Sequence, residues 1–325
     1  MTLGSWKDEQ VKDLSTSPSI AGAPGSEAGV AVGLDRGRRR IRSLTPYLFL
    51  LVPVALLLLF TYVPIANMLS YSLVKWNGLS ADRKFVGIDN YVRVFTQPEL
   101  FGVFFVSLYY FVGAFVQMGI ALYLATMLSF RIRFKNLFKG IIFFPYLING
   151  VAISFIFLYV LKPDGVLDSL LATVGVNDTP LWTGDRSVVN ASLAGVSIWR
   201  YMGLNFVLFL GAIQSIPSET MEAAEMDGAS RWGLFRFIIL PGIRPVIGLS
   251  FILAIAGSLA AFEIPYIMLG GANGTATFVI LTIQTAFTYN QVGLASAMAV
   301  ILLVLILAVT WVQRRIVPDE QAELI

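Results

Sequence analysis

The chain has 325 residues, 57% of them hydrophobic and 13% charged, with a formal net charge of +3 and a mean hydropathy of +0.76. A soluble domain carries about 25% charged residues, so this composition excludes a water-facing globule and indicates a polytopic membrane protein. With no His and no Cys, imidazole bases, thiolate nucleophiles, disulfides and His/Cys metal sites are excluded too.

Residues 1–35 are rich in Ser, Thr, Gly, Ala and Pro without periodicity, which predicts a flexible tail extending to about residue 43. A membrane-crossing helix needs roughly 20 apolar residues. Six stretches qualify: 46–69, 101–130, 140–161, 190–213, 245–269 and 294–313. The first lies too deep in the chain, and is too long, for the core of a cleaved signal peptide. Between the first two spans, 71–100 reads as an outer loop. There Asp89 is placed to cap a short helix through Tyr91 and Phe95. After the third span, Asp164 is placed to cap a helix with Val166, Leu167, Leu170, Leu171 and Val174 on one face. Both suit helices lying on the outer leaflet and ordinary packed loop helices equally.

Lys and Arg accumulate on the cytoplasmic side of a membrane. The N-terminal segment, the loops after spans two and four, and the C-terminal tail together hold sixteen, including Arg38, Arg39, Arg40, Lys135, Lys139, Arg231, Arg236 and Arg315. The opposite loops hold six, and Arg200 lies within a span. This asymmetry predicts both termini in the cytoplasm, with 316–325 as a cytoplasmic tail.

The loop at 214–244 has a local structure of its own. Ser218 is placed as an N-cap, and Glu219 and Glu222 put negative charge in the first helical turn. Gly228 suits a left-handed helix stop. Ser230 is placed to cap a second helix carrying Trp232, Phe235 and Ile238 or Ile239 on one face, ended by Pro241. From spacing alone this is two short helices joined by a Gly elbow, equally compatible with a plain connector.

The residues resemble something more specific. Glu222-Ala223-Ala224, three residues, Gly228, nine residues and Ile238-x-Leu240-Pro241 resemble the complete EAA signature of membrane subunits of bacterial ATP-binding-cassette importers. The extension through Asp227-Gly228-Ala229 resembles the carbohydrate branch, and within it the maltose and multiple-sugar, MalF-like members. Phe85-Val86-Gly87-Ile88-Asp89-Asn90-Tyr91, Phe143-Phe144-Pro145-Tyr146 and Gly211-Ala212-Ile213-Gln214-Ser215-Ile216-Pro217 are also similar to that family, from about 46 to 315. One departure stands out: the family often has Thr-Gly-Gly-Gly-Pro after span five, where this chain has Leu269-Gly270-Gly271-Ala272-Asn273-Gly274.

The resemblance implies an all-α type I importer permease fold of six transmembrane helices, with a first helix at 44–70 and a core permease domain at 101–315. It implies that Glu222, Ala223, Ala224, Asp227 and Gly228 form a coupling elbow docked on a separate ATPase. Partners would be a second permease (or a second copy of this chain), two ATPase subunits holding ATP and Mg, and an extracytoplasmic substrate-binding protein, in a bacterial inner membrane. No nucleotide-binding Gly-x-x-x-x-Gly-Lys-Ser/Thr loop occurs in this chain, no cofactor of its own is implied, and no nucleic-acid role is expected. The expected cargo is a sugar or oligosaccharide; the alternative is a non-sugar solute such as glycerol phosphate or a polyol.

Two ionisable residues lie inside spans, Arg200 and Glu263. Charge at mid-membrane costs at least ~2.5 kcal/mol, so both must face protein or water. Three arrangements fit: a structural ion pair, cavity-lining groups, or interfacial groups near the outer headgroups. By resemblance, the spans flanking the elbow contact substrate, so Trp199, Arg200, Tyr201, Asn205 and Glu263 are the candidate substrate residues. Gln117, Tyr146 and Asn149 are further polar groups, and Asn149-Gly150 can loosen a helix locally. A cation-coupled secondary transporter would need intramembrane acids, of which Glu263 is the only one. An intramembrane enzyme would need an Asp or Lys within a span, and there is none.

Overall fold

The computed structural model describes residues 47–130 and 134–316. The expected N-terminal tail, the bases within it, Arg131, Arg133 and residues 317–325 lie outside the described residues. The chain divides into two units, residues 1–62 and 63–325. In the first, residues 47–62 are helical and every side chain is exposed.

In chain order the elements are α1 (Tyr47–Ser72), a hairpin of β1 (Val74–Lys75) and β2 (Lys84–Phe85), α2 (Asp89–Thr96), α3 (Phe104–Ser129), α4 (Lys135–Leu147), α5 (Gly150–Val160), α6 (Val166–Thr173), α7 (Val189–Gln214), α8 (Ser218–Met226), α9 (Arg231–Leu234), α10 (Arg244–Leu259), α11 (Glu263–Leu269), α12 (Phe278–Ile283) and α13 (Val292–Ile316). Among the described residues, five runs are long and apolar enough to cross a membrane, and α4 with α5 makes a sixth if that bent pair is one span.

The bend departs from the continuous helix expected at 140–161. It measures 96° and lies between Leu147 and Gly150. Its cause is local. Pro145, in the last turn of α4, has no N–H to donate. Ile148 is extended, and the Asn149 side-chain oxygen accepts a hydrogen bond from Val151 N at 2.8 Å, restarting the helix as α5. The run from Arg244 to Leu269 also breaks, at Ala260–Phe262. The Thr277 hydroxyl donates to the freed Ala261 carbonyl at 2.6 Å, which removes an unsatisfied acceptor from an apolar setting.

Three apolar clusters hold the second unit. One joins Met118, Ala121, Ala125 and Leu128 of α3 to Phe206, Phe209, Leu210 and Ile213 of α7, with Ile239 and Ile243 closing it. These positions recur at helical spacing, so each helix turns one stripe to the other. Within lipid there is no hydrophobic drive between helices, and small residues that allow close approach decide the packing. Gly203 shows this: a Cβ there would stand 2.6 Å from the Ile142 carbonyl oxygen of α4. The second cluster joins α3, α5, α7 and α11, and the third gathers Val94, Leu100, Phe278, Leu294, Met298 and Ile301. Gln313 ties α13 to α10 by donating to the Gly248 carbonyl at 2.7 Å.

The segment after span five was expected to be loop. It holds α12 and a π-helical turn, Gln284–Thr288, with Phe278 and Ile280 fully buried. The Leu269–Gly274 departure from the family pattern is ordered. Asn273, at φ +56°, donates through Nδ2 to the Gly184 carbonyl at 2.7 Å, and Gln284 donates to the Gly270 carbonyl at 2.9 Å. Asn tolerates the left-handed region that the turn requires.

The two small outer helices form, but their caps differ from expectation. Asp89 is the first residue of α2, and Ile88 stands at the cap position. Asp164 adopts φ +55°, and its backbone N–H donates to Asp168 Oδ2 at 2.9 Å; Gly165 is the residue before α6. Asp168 Oδ1 accepts from Trp182 Nε1 at 2.7 Å. That bond holds the Asp168 carboxyl below the usual carboxylate range.

Candidate functional site: an exposed elbow and a cavity between spans

The elbow is α8, a Gly turn and α9. Pro217, not Ser218, occupies the cap position of α8, and Ser218 makes no capping bond. The C-terminus follows the expected pattern closely. Gly228 has φ +81°, its N–H donates to the Glu225 carbonyl at 3.0 Å, and Ala229 N donates to the Ala224 carbonyl at 2.9 Å. This is the paired closure of a Schellman motif. A Cβ at Gly228 would meet no heavy atom within 4 Å, so the backbone angle alone requires glycine. Ser230 Oγ accepts from Gly233 N at 3.2 Å and starts α9.

Beyond α9 the chain departs from expectation. A π-helical turn, Phe235–Ile239, precedes Leu240–Gly242, so Pro241 does not end the helix; the break comes at Ile243. A π turn shifts bonding by one residue, as the Leu240 N–H to Phe235 carbonyl bond shows. Trp232 faces outward at 65% exposure, while Leu234 and Ile239 are buried. The buried face is therefore set by Leu234 and Ile239. Ile216, Met221 and Phe235 anchor the elbow on the α3–α7 cluster. Glu222, Ala223, Asp227 and Gly228 are exposed, Ala224 is half-buried, and Met226 projects at 88% exposure.

The second feature is a cavity of about 480 Å³ bounded by α3, α7, α10 and α11, within the ~300–1,000 Å³ of small-molecule sites. Tyr201 and Asn205 of α7, Gln117 of α3, Ser250 and Gly257 of α10 and Glu263 of α11 are on its wall. Trp199 is not: it packs edge-on against Phe157, with ring centroids 5.2 Å apart, and is 39% exposed. Arg200 also stays off the wall. Its Nη1 donates to Glu263 Oε2 and, at 3.3 Å, to the Tyr201 hydroxyl. Thus the ion pair forms and Glu263 lines the cavity, combining two arrangements that the sequence left open.

The pair closes over the start of α5. A Cβ at Gly150 would collide with Arg200 Nη1 and the Glu263 carboxylate. Glycine there lets both charges reach the backbone of the bend. Sequence reasoning gave no weight to Tyr110 and Ser250, which also line the cavity. Their hydroxyls are buried without a hydrogen-bond partner. The signal available was position: Ser250 lies seven residues before Gly257, on the same helical face.

Residues 117–321 match the family described as binding-protein-dependent transport system inner membrane component. The chain belongs to that family. It is 33% identical over 277 residues to a Bacillus subtilis (strain 168) protein named Probable ABC transporter permease protein YurN, covering 83% of this chain and 94% of that one. It is likewise 33% identical over 262 residues to the Multiple sugar-binding transport system permease protein MsmF of Streptococcus mutans, covering 79% and 90%. A crystal structure of a bacterial ABC transporter involved in import of the acidic polysaccharide alginate matches with TM-score 0.73 at 22% identity, covering 87% of this chain and 99% of that one. The fold is that of an ABC importer permease. The chain is a membrane transport subunit and not an enzyme.

Proposed function

We propose that this chain is the permease subunit of an ATP-driven importer for a sugar or oligosaccharide, moving its cargo by alternating access. The capped, exposed elbow carries the proposal. Two short helices closed by a Schellman motif and rooted in the α3–α7 cluster can pass a displacement to two spans without losing it in a floppy loop. Glu222, Ala223, Ala224, Asp227 and Gly228 would dock on a separate ATPase that holds ATP and Mg. A second permease or a second copy of this chain completes the membrane pore, with two ATPase subunits on the cytoplasmic side, where both termini lie. An extracytoplasmic binding protein delivers the cargo.

The sugar reading draws on the naming of relatives such as MsmF and on the few phenols, hydroxyls and amides that a largely apolar cavity wall carries beside one carboxylate. Tyr201, Asn205 and Glu263 are the substrate contacts from the sequence that this wall retains. The test is ATP-driven uptake in proteoliposomes holding the complete importer, with labelled neutral disaccharides, a polyol and glycerol phosphate. Disaccharide uptake that stops without ATP is expected. Uptake of the polyol or glycerol phosphate alone would overturn the sugar reading, and uptake by this chain without ATPase subunits would overturn the importer reading.

A further inference from the structure

The two charges buried in the spans are not placed symmetrically about the cavity. Glu263 is on its wall, at the first turn of α11. Arg200 lies behind it, its side chain 12% exposed against 36% for Glu263, held by Glu263 and Tyr201. Among the described residues lining the cavity, Glu263 carries the only formal charge; the others are apolar or neutral polar groups. The pair is neutral as a whole, but its dipole points its negative end at the cavity.

The remaining polar groups agree with that direction. Tyr110 and Ser250 belong to the cavity wall at 6% and 1% exposed, and both hydroxyls are buried behind it without a hydrogen-bond partner. A buried hydroxyl without a partner is costly, and a side-chain rotation toward the cavity would let a ligand hydroxyl supply the missing bond. Gln117 and Asn205 add amides that both donate and accept. A carboxylate accepts hydrogen bonds from ligand hydroxyls and repels an anionic ligand in a medium where water does not screen it.

We infer that this cavity selects by charge: it takes uncharged, hydroxyl-rich solutes and turns away anions such as sugar phosphates and uronates, with Glu263 the residue that decides. Arg200 is a positioning residue, holding the carboxylate and not meeting an anion itself. This deepens the importer reading and rests on it for the identity of the cargo, but the charge preference is measurable without transport.

The chain has no cysteine, so one introduced thiol reports its surroundings cleanly. Gly257 lines the cavity, and a Cβ there meets no heavy atom within 4 Å. The experiment measures reaction of Gly257→Cys, in the full chain assembled with its partners, with a cationic and an anionic methanethiosulfonate of similar size. Rates are normalised to the same reagents on free glutathione. A several-fold preference for the cation is expected from the negative end of the ion pair at the wall, with Arg200 offsetting part of the carboxylate's field. Adding Glu263→Gln should abolish the preference or turn it toward the anion, because Arg200 then stands unpaired behind the wall, whereas Arg200→Gln with Glu263→Gln, which removes both charges and keeps the inference testable if an unpaired Arg200 prevents folding, should bring the ratio close to one. Equal rates in the parent, a ratio unmoved by both backgrounds, or no reaction with either reagent would overturn the inference. Uptake failing while the ratio behaves as described would instead count against the importer reading.

Discussion

Replacing Gly228 separates backbone geometry from contact at the elbow. The φ of +81° lies where a side chain is penalised, yet nothing stands within 4 Å of the position a Cβ would take. Within this chain, any loss must therefore come from the backbone, and Gly228→Asn, which also adds a side chain, controls for contact with the ATPase. A left-handed residue other than glycine costs roughly 1–2 kcal/mol, and valine adds the stiffness of a branched Cβ. At about 1.4 kcal/mol per factor of ten, Gly228→Val should lower the closed-to-open ratio of the elbow roughly 10-fold or more, and weaken ATPase docking in proportion to the closed fraction that is lost. Asn tolerates the left-handed region, so Gly228→Asn should keep most of the function. The assay is ATP-driven uptake and ATPase co-purification for both variants at matched membrane levels, with amide exchange at Ala229, whose N–H closes the motif onto Ala224. Indistinguishable behaviour of Val and Asn, or normal coupling in both, would refute the reasoning.

Glu222→Lys reverses charge on the exposed face of α8 and should abolish uptake while leaving membrane insertion intact; normal uptake with normal ATPase assembly would contradict the docking role. Gly150→Ala places a methyl group against Arg200 and Glu263 and should cost about 1–3 kcal/mol as an overpacking change, read as earlier thermal unfolding in detergent. Gly119→Ala, in the interior of α3 where a Cβ meets nothing within 4 Å, is the matched control and should not lower the transition. The Asp168 carboxyl is held below its ordinary value by the Trp182 bond. Its contribution is therefore present above the unfolded carboxylate range near pH ~3.9 and lost as pH falls through the lower folded value. A fluorescence step that Trp182→Phe removes should appear below pH ~3.9; a step centred above it would contradict the assignment.

The long spans were legible because lipid imposes one demand, a run of apolar residues, that the sequence displays directly. The elbow was legible for a different reason: Gly228 and Ser230 are governed by local backbone chemistry, which needs no distant partner. Ser218 misled because Pro217 takes the cap position in its place. Trp232 misled because its spacing to Phe235 and Ile239 fits one helical face, whereas Leu234 and Ile239 are the residues buried and a π turn lies between them. The 96° bend was half-visible in Asn149-Gly150, but its sharpness needed Pro145 and Asn149 to act together. Pairing of Arg200 with Glu263 could be proposed from their burial, whereas which of the two faces the cavity depends on three helices meeting. Ser250 could be placed only through its shared face with Gly257, and Tyr110 carries no pattern that separates it from ordinary helix residues until the cavity is formed.

The bend at Ile148–Asn149 also bears on how the protein is made. Neither α4 nor α5 alone is a full-length hydrophobic rod, and the charges that close over Gly150 sit on later segments of the chain. During synthesis the third span therefore reaches the translocon before its electrostatic lock exists, and a ribosome paused after α7 leaves the guanidinium of Arg200 without its carboxylate. The ion pair over Gly150 therefore forms only after α11 has been made, so the last contact at the middle of the protein is supplied by its C-terminal third.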